Sequence, residues 1–138
     1  MNGFVIDASA IGPLVLPDET ASMRQQTLDL LSGAVLAAPQ LWRFETANLL
    51  LVAMRRGRLN DTERFQAIEQ LDQLDVAIDA SSGEQAWLAS FDIASADGLT
   101  IYDVSYIELA RRLDYGLLTY DRALAKAARA RGIETPEL

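Results

Sequence analysis

The stretch Phe4-Val5-Ile6-Asp7-Ala8-Ser9 decides the fold class, because it is a short apolar run that stops at a carboxylate. A run of this length predicts a buried β-strand, and the acid after it predicts a polar turn. Similar short runs recur along the chain and alternate with longer helical patterns. Further strands are predicted at residues 35–38, 75–78 and 116–119, and a last short one begins at Ile133.

Helices are predicted between these strands from their start and stop signals. Asn60, with Glu63 three residues later, indicates a helix start, and Gly33 and Gly57 indicate helix ends. Strands that alternate with helices predict an α/β fold of three layers, with helices on both faces of a short, mainly parallel sheet. We expect one domain over residues 1–138. The predicted helices cover residues 20–31, 39–56, 60–74, 82–96, 100–112 and 122–131.

The composition excludes several kinds of site. The 138 residues include no Cys and no His, so the chain has no disulfide, no Cys/His zinc site, no thiol nucleophile and no imidazole base. A run of about 18 apolar residues, which a membrane span needs, is also absent. The start Met1-Asn2-Gly3 has no basic region and does not indicate a signal peptide, so we expect a cytoplasmic protein.

The net charge is acidic. Twenty Asp and Glu against twelve Lys and Arg give −8 at pH 7 and a pI near 4.4. This balance argues against a protein that holds nucleic acid by bulk electrostatics. It leaves open an enzyme whose acids are concentrated at a metal site.

Three acids stand where a sheet and its helices place functional groups. Asp7 and Asp121 follow predicted strands, so both should lie at the carboxyl edge of the sheet, where α/β sites form. Asp103 lies in the first turn of the helix that begins at Thr100. Each of the three also suits a helix cap, which is the structural alternative.

Glu45 lies inside the long helix predicted at residues 39–56. Its neighbours at helical spacing are mostly apolar, so the Glu45 carboxylate and the Asn48 amide lie on an otherwise apolar stripe of the helix. An unpaired buried carboxylate is costly and needs a partner, a cavity or a metal. The alternative is a surface glutamate on a slightly rotated helix. Four carboxylates without histidine suit Mg²⁺ or Mn²⁺. The stripe consists of Leu41, Glu45, Asn48, Leu49 and Val52.

The order and context of these acids resemble the PIN-domain ribonucleases, in particular the VapC toxins of bacterial toxin–antitoxin pairs. The similarity runs through nearly the whole chain, and its specificity comes from four motifs in order. These are Val5-Ile6-Asp7-Ala8-Ser9, Leu41-Trp42-Arg43-Phe44-Glu45-Thr46-Ala47-Asn48-Leu49, Leu99-Thr100-Ile101-Tyr102-Asp103-Val104-Ser105-Tyr106 and Leu117-Leu118-Thr119-Tyr120-Asp121-Arg122-Ala123-Leu124.

The resemblance implies an acidic catalytic pocket that binds Mg²⁺ or Mn²⁺, with Asp7 and Asp103 as the foremost ligands. Thr119 matches a hydroxyl that assists by hydrogen bonding. The implied reaction is hydrolysis of an RNA phosphodiester that leaves a 5′-phosphate and a 3′-hydroxyl. The family also implies a homodimer and a cognate antitoxin partner. The implied pocket consists of Asp7, Glu45, Asp103 and Asp121.

Basic and amide side chains near these acids are candidates for RNA contacts. They are Arg43, Asn48 and Arg122, with further arginines at positions 55, 56, 58 and 129 and the single lysine, Lys126. The alternative for each cation is a solvated helix surface.

The rival interpretation is a non-catalytic PIN-like module that binds a partner protein, in which the acids only cap helices. Other acid-based sites fail on the sequence. An aspartyl-phosphate phosphatase needs an acid where Ser9 stands, and a receiver domain needs a strand-end lysine, whereas Lys126 lies in the last helix. A P-loop motif is absent.

Overall fold

The computed structural model describes residues 3–138. Met1 and Asn2, which belong to the predicted domain and to the N-terminal start considered above, lie outside the described residues. Four strands form one sheet: β1 (Gly3–Ile6), β2 (Val35–Pro39), β3 (Ala77–Asp79) and β4 (Gly116–Leu118). Their order is β3-β2-β1-β4, and every neighbouring pair is parallel. The predicted α/β class with a short parallel sheet is confirmed.

Eight helices and one 3₁₀ turn connect the strands, and local caps begin several of them. Thr20, Thr100 and Asp121 each accept a backbone N–H in the first turn of their helix, and Asn60 forms the complete capping box with Glu63. The 3₁₀ turn is Ala8–Ala10, and the helices are α1 (Gly12–Val15), α2 (Ala21–Leu31), α3 (Leu41–Arg55), α4 (Asp61–Gln73), α5 (Ser82–Gln85), α6 (Ala89–Asp97), α7 (Ile101–Leu113) and α8 (Arg122–Ala130).

Two groups of helices cover the sheet. Parallel strands joined by right-handed crossovers place α1 to α4 on one face and α5 to α7 on the other. Helix α7 packs against β1, β2 and β4, and its residues 106–110 are all buried. Of the residues 3–138, none belongs to a helix long and apolar enough to span a membrane.

The helix predicted at residues 82–96 is wrong as a continuous element, since it divides into α5 and α6 with a turn between them. The backbone leaves the helical region at Leu88, although no glycine or proline marks the break. Ser82 Oγ donates to Asp79 Oδ2 at 2.6 Å and ties α5 to the end of β3, whereas α6 packs along α7. Helix α5 also contacts α7, so the break at Leu88 divides a continuous helical pattern into two short helices that pack against α7 separately.

The last predicted strand, at Ile133, is also wrong within the described residues. Leu117 N–H donates to Glu134 O at 2.8 Å, but no ladder continues from this contact. The Thr135 carbonyl instead accepts the Arg129 guanidinium at 2.8 and 3.0 Å. Pro136 has no N–H with which a parallel ladder could continue past Glu134, and the next carbonyl, that of Thr135, points away from β4 towards Arg129.

Two other boundaries shift by one or two residues. Pro39 ends β2 and pairs with Asp79 instead of opening the next helix, which begins at Leu41. Asp75 has a positive φ of 54° and follows α4, so β3 begins only at Ala77. Aspartate tolerates this left-handed conformation better than most residues.

Candidate active site

The ends of β1 and β4 form the point at which the strand order reverses, because β2 lies on one side of β1 and β4 on the other. Ligands of open α/β sheets bind beyond the carboxyl ends of the strands at such a point. Ile6 pairs with Leu118, and Asp7 N–H donates to Leu118 O at 3.1 Å. Asp7 and Thr119 therefore leave the sheet side by side.

The Asp7 carboxylate is buried, with 7% of the residue exposed, and it is held by uncharged donors. Its Oδ1 accepts Ser9 Oγ at 2.6 Å, Ser9 N–H at 2.9 Å and Ala10 N–H at 3.3 Å. Its Oδ2 accepts Thr119 Oγ1 at 2.8 Å. Burial raises the pKa of Asp7 to about 6, and these hydrogen bonds offset that rise only in part. The ionised form therefore lacks a compensating positive charge.

Thr119 links Asp7 to the start of α8. Its hydroxyl is buried and also accepts Asp121 N–H at 3.0 Å. Asp121 itself is exposed, and its Oδ1 accepts Leu124 N–H at 3.1 Å. The capping role that the sequence allowed for Asp121 is present, and its role at a metal stays a prediction.

Glu45 is half-buried on α3, and its carboxylate accepts a hydrogen bond from the Tyr106 hydroxyl on α7. The buried stripe of α3 runs beside it through Trp42, Thr46, Leu50 and Ala53. Asn48, which the sequence placed on the apolar stripe, is exposed because the buried stripe is rotated away from it. Glu45 is thus neither a surface residue nor paired with a cation among the described residues.

Asp103 occupies the first turn of α7. Its backbone N–H donates to Thr100 Oγ1 at 3.1 Å, so the hydroxyl half of the predicted capping box is present. Of the groups in residues 3–138, none donates a hydrogen bond to the Asp103 carboxylate, so the reciprocal half is missing. The side chain is half-buried and is not occupied with capping.

Three of the four predicted acids raise the pKa of one hydroxyl group, that of Tyr106. Burial raises the pKa of Tyr106 far above its ordinary value, and the hydrogen bond to Glu45 and the charges of Glu45, Asp7 and Asp103 raise it further. Asp7 follows β1, Glu45 is on α3 and Asp103 is on α7, so the three acids are distant in sequence. The fold therefore gathers a negative field around the Tyr106 hydroxyl.

The chemistry of this donor set suits a hard divalent ion, since carboxylate and hydroxyl oxygens are its only polar atoms. Within residues 3–138 no three Asp or Glu side chains converge closely enough to hold one ion between them. Magnesium commonly keeps several waters and takes only one or two carboxylates. The residues present fit a hydrated ion of this kind.

The side chains predicted to contact substrate lie outside this cluster. Arg43, Asn48 and Arg122 are all exposed, and Arg43 lines a cavity of about 580 Å³ between α3 and α4. Arg58 is bonded to Asp18 at 2.8 and 2.9 Å. The two arginines at positions 55 and 56 and Lys126 are exposed.

Two residues of the cluster, Ser9 and Tyr106, were not predicted as site residues from the sequence. Ser9 Oγ donates to Asp7 and accepts Tyr120 N–H at 2.8 Å, so it joins the two strand ends. A hydroxyl two residues after a strand-end acid is the local signal that could have identified it. Tyr106 lies three residues after Asp103, which places both on one face of a helix.

Comparisons with known proteins agree with this architecture. The family described as PIN domain matches residues 4–130. A curated relative, Ribonuclease VapC3 of Pyrobaculum aerophilum, is 33% identical over 122 residues, which cover 88% of this chain and 92% of that protein. The crystal structure of PAE2754 from Pyrobaculum aerophilum superposes with a TM-score of 0.68 at 24% identity, covering 96% of this chain and 88% of the other. That structure supports the fold, and the first two matches confirm the resemblance found in the four motifs.

Proposed function

The chain belongs to the PIN-domain family, and from this premise we propose that it is an endoribonuclease that depends on Mg²⁺ or Mn²⁺. The observation that supports this best is the buried Asp7 carboxylate, which is held by four hydrogen bonds from uncharged donors. Glu45 and Asp103 lie near enough to act on the same tyrosine hydroxyl. Such a site favours a bound cation, because a cation offsets the cost of the buried charge.

Asp7 and Asp103 are the residues we expect to hold the ion first, with Glu45 and Asp121 completing the acidic pocket. When bound there, a divalent ion supplies Lewis-acid stabilisation of the scissile phosphodiester and its leaving oxygen. The family relation of the chain and the oxygen-only donor set both support this assignment.

The protein residues have separable tasks in this reaction. Ser9 and Thr119 orient the Asp7 carboxylate through hydrogen bonds to both of its oxygens. A carboxylate of the pocket accepts a proton from the attacking water, whose oxygen bonds to phosphorus while the bond from phosphorus to the 3′ oxygen breaks, and the departing 3′ oxygen takes up a proton from solvent water. The products are a 5′-phosphate and a 3′-hydroxyl, the ends that the family resemblance implies.

RNA has to approach a protein of net charge −8. We propose that the exposed side chains of Arg43, Asn48 and Arg122 contact its phosphates and riboses, because Arg and Asn donate hydrogen bonds to both. Arg43 is two positions before Glu45 on α3, and Arg122 follows Asp121 at the start of α8. Both helices begin at the carboxyl edge of the sheet.

The relative named VapC3 supports a biological role as well as an activity. We propose that the chain is the toxin of a toxin–antitoxin pair, that it acts in the cytoplasm as a homodimer and that a cognate antitoxin protein restrains it. Size-exclusion chromatography with light scattering tests the dimer.

The alternative function is a PIN-like module that binds a partner protein without catalysis. One observation favours it, since Asp7 and Asp121 do cap the 3₁₀ turn and α8. The acid that separates the two functions is Asp103, whose carboxylate caps nothing among the described residues.

The test is cleavage of total cellular RNA by the purified protein with Mg²⁺ or Mn²⁺, with Asp103→Asn as the matched variant. We expect discrete cuts that carry 5′-phosphates and disappear with EDTA and in the variant. Equal cutting by both proteins would indicate a contaminating nuclease. No cutting, together with no rise in melting temperature on adding metal, would favour the binding module.

A further inference from the structure

Tyr106 is a core residue with a polar end in the acidic pocket. Only 2% of its surface is exposed, and its neighbours Ile107 and Leu109 on α7 are fully buried. Its hydroxyl crosses from α7 to α3 and donates to Glu45. It lies one helical turn after Asp103, so one face of α7 presents both a carboxylate and this donor.

Glu45 depends on this hydrogen bond for its position. In the part of the chain that the structure describes, the Tyr106 hydroxyl is its hydrogen-bond partner, and neither an arginine nor a lysine pairs with it. A glutamate has three rotatable side-chain bonds, so a half-buried one without a partner samples several rotamers. The single hydroxyl therefore decides which rotamer Glu45 keeps.

We propose that Tyr106 is a positioning residue, which holds the Glu45 carboxylate towards Asp7 and Asp103 so that Glu45 can serve the divalent ion. This inference rests on the proposed metal-dependent function.

A neutral donor suits this task better than a cation. An arginine in the same place would orient Glu45 but would neutralise its charge and weaken its attraction for a divalent ion. A tyrosine hydroxyl orients the carboxylate and leaves the negative charge in place. A tyrosine hydroxyl is protonated at neutral pH, so it is available as a donor to Glu45. Partners of this kind behind a metal ligand typically contribute about 10–100-fold in metal affinity or activity.

The first experiment compares Tyr106→Phe with the wild type and with Tyr115→Phe. Tyr115 lies just before β4, at the opposite edge of the sheet from Asp7, and controls for the loss of a phenol hydroxyl. Metal affinity is measured by titrating Mg²⁺ or Mn²⁺ against melting temperature, and cleavage is measured over a range of RNA concentrations so that kcat and KM are obtained separately. For Tyr106→Phe we expect about a tenfold weaker metal affinity and slower cleavage. The KM for RNA should change by less than about twofold, because no RNA contact is lost.

The second experiment asks whether Tyr106 acts through Glu45. In a Glu45→Gln background, Tyr106→Phe should cause no further loss of metal affinity, because the carboxylate that it positions is gone. Equal losses in both backgrounds would overturn the inference and indicate a general packing role. A third variant, Glu45→Asp, shortens the half-buried side chain by one methylene and should draw its carboxylate away from the Tyr106 hydroxyl. It should reproduce Tyr106→Phe even where the tyrosine substitution reduces folding.

The two levels of the argument fail in different ways. Wild-type protein that neither binds metal nor cuts RNA would overturn the proposed function. Wild-type protein that does both, with a Tyr106→Phe variant that matches Tyr115→Phe in metal affinity, would overturn only the role of Tyr106.

Discussion

The N-terminal and C-terminal halves of α7 contribute to two groups of acids that are held in opposite ways. At the first end, Tyr106 donates to Glu45, the charges of Glu45, Asp7 and Asp103 raise the pKa of Tyr106, and none of the ion pairs within residues 3–138 involves these three acids. At the other end, Glu108 is 4% exposed and accepts Arg112 at 2.7 and 2.8 Å, and Arg112 also donates to Asp79 at 2.9 and 3.0 Å.

The electrostatic consequences differ accordingly. Arg112 holds the pKa of Asp79 below its ordinary value, whereas burial without a cation raises the pKa of Asp7 to about 6. The end with the guanidinium is complete as an internal ion-pair network. The end without one has an uncompensated negative charge that an external cation would balance. This contrast distinguishes a structural acid cluster from a candidate active site on one helix.

The largest expected effect is on RNA cleavage, which should depend on the Asp7 carboxylate and not on the Glu108 carboxylate. Asp7→Asn should lower metal-dependent RNA cleavage by more than about a hundredfold and remove the rise in melting temperature caused by Mg²⁺, since outer-shell partners alone are worth about 10–100-fold. Glu108→Gln is the matched variant at the other end, and its metal concentration at half-maximal cleavage should equal that of the wild type. If Glu108→Gln weakened metal binding as strongly as Asp7→Asn, the contrast would be wrong.

The second prediction concerns stability at the ion-pair end. Arg112→Ala should lower the free energy of unfolding by about 3 kcal/mol, because it leaves Glu108 buried and facing Asp79 without a cation. Urea denaturation at pH 7 measures this loss. The combination of Arg112→Ala with Glu108→Leu should recover part of it, and a further decrease would contradict the account.

The third prediction uses pH. The native protein without metal binds more protons at Asp7 than the unfolded chain does between pH 3.8 and about 6. The contribution of Asp7 to the free energy of unfolding should therefore fall by about 3 kcal/mol as the pH rises through this window. Asp79 contributes in the opposite sense, since its lowered pKa stabilises the fold above pH 3.8 and that contribution is lost on acidification.

Urea denaturation from pH 3.5 to 7 in EDTA, on the wild type and on Asp7→Asn, isolates the Asp7 contribution as a difference. The wild type should lose stability relative to the variant as the pH rises. A constant difference across the window would show that Asp7 does not carry a raised pKa.

The smallest expected effect is the change in the stability of the metal-free protein on Asp103→Asn. Asp103→Asn removes one negative charge from the metal-free cluster and leaves the Thr100 cap intact. We therefore expect a higher melting temperature, equivalent to about 0.5 kcal/mol in the free energy of unfolding. Differential scanning calorimetry in EDTA measures this shift. A clear decrease in stability would show that the carboxylate supports the helix start, as the capping alternative proposed.

Much of the local structure was predictable because its causes lie within a few residues. Thr20, Asn60, Thr100 and Asp121 begin helices as their sequence contexts indicate. The division of residues 82–96 was not predictable, because the backbone leaves the helical region at Leu88, where no glycine or proline stands, while α6 packs along α7. The roles of the site residues and the single domain over 1–138 stay predictions.

The sequence by itself determined the alternation of strands and helices, the placement of Asp7 and Thr119 at strand ends and the absence of thiol and imidazole chemistry. Only the tertiary structure decided that β4 lies beside β1, so that Thr119 donates to Asp7 across 112 positions, and that Tyr106 holds Glu45 across 61. Short-range patterns report which face of an element is apolar. The choice of neighbouring element depends on the packing of the whole core, which no local pattern contains.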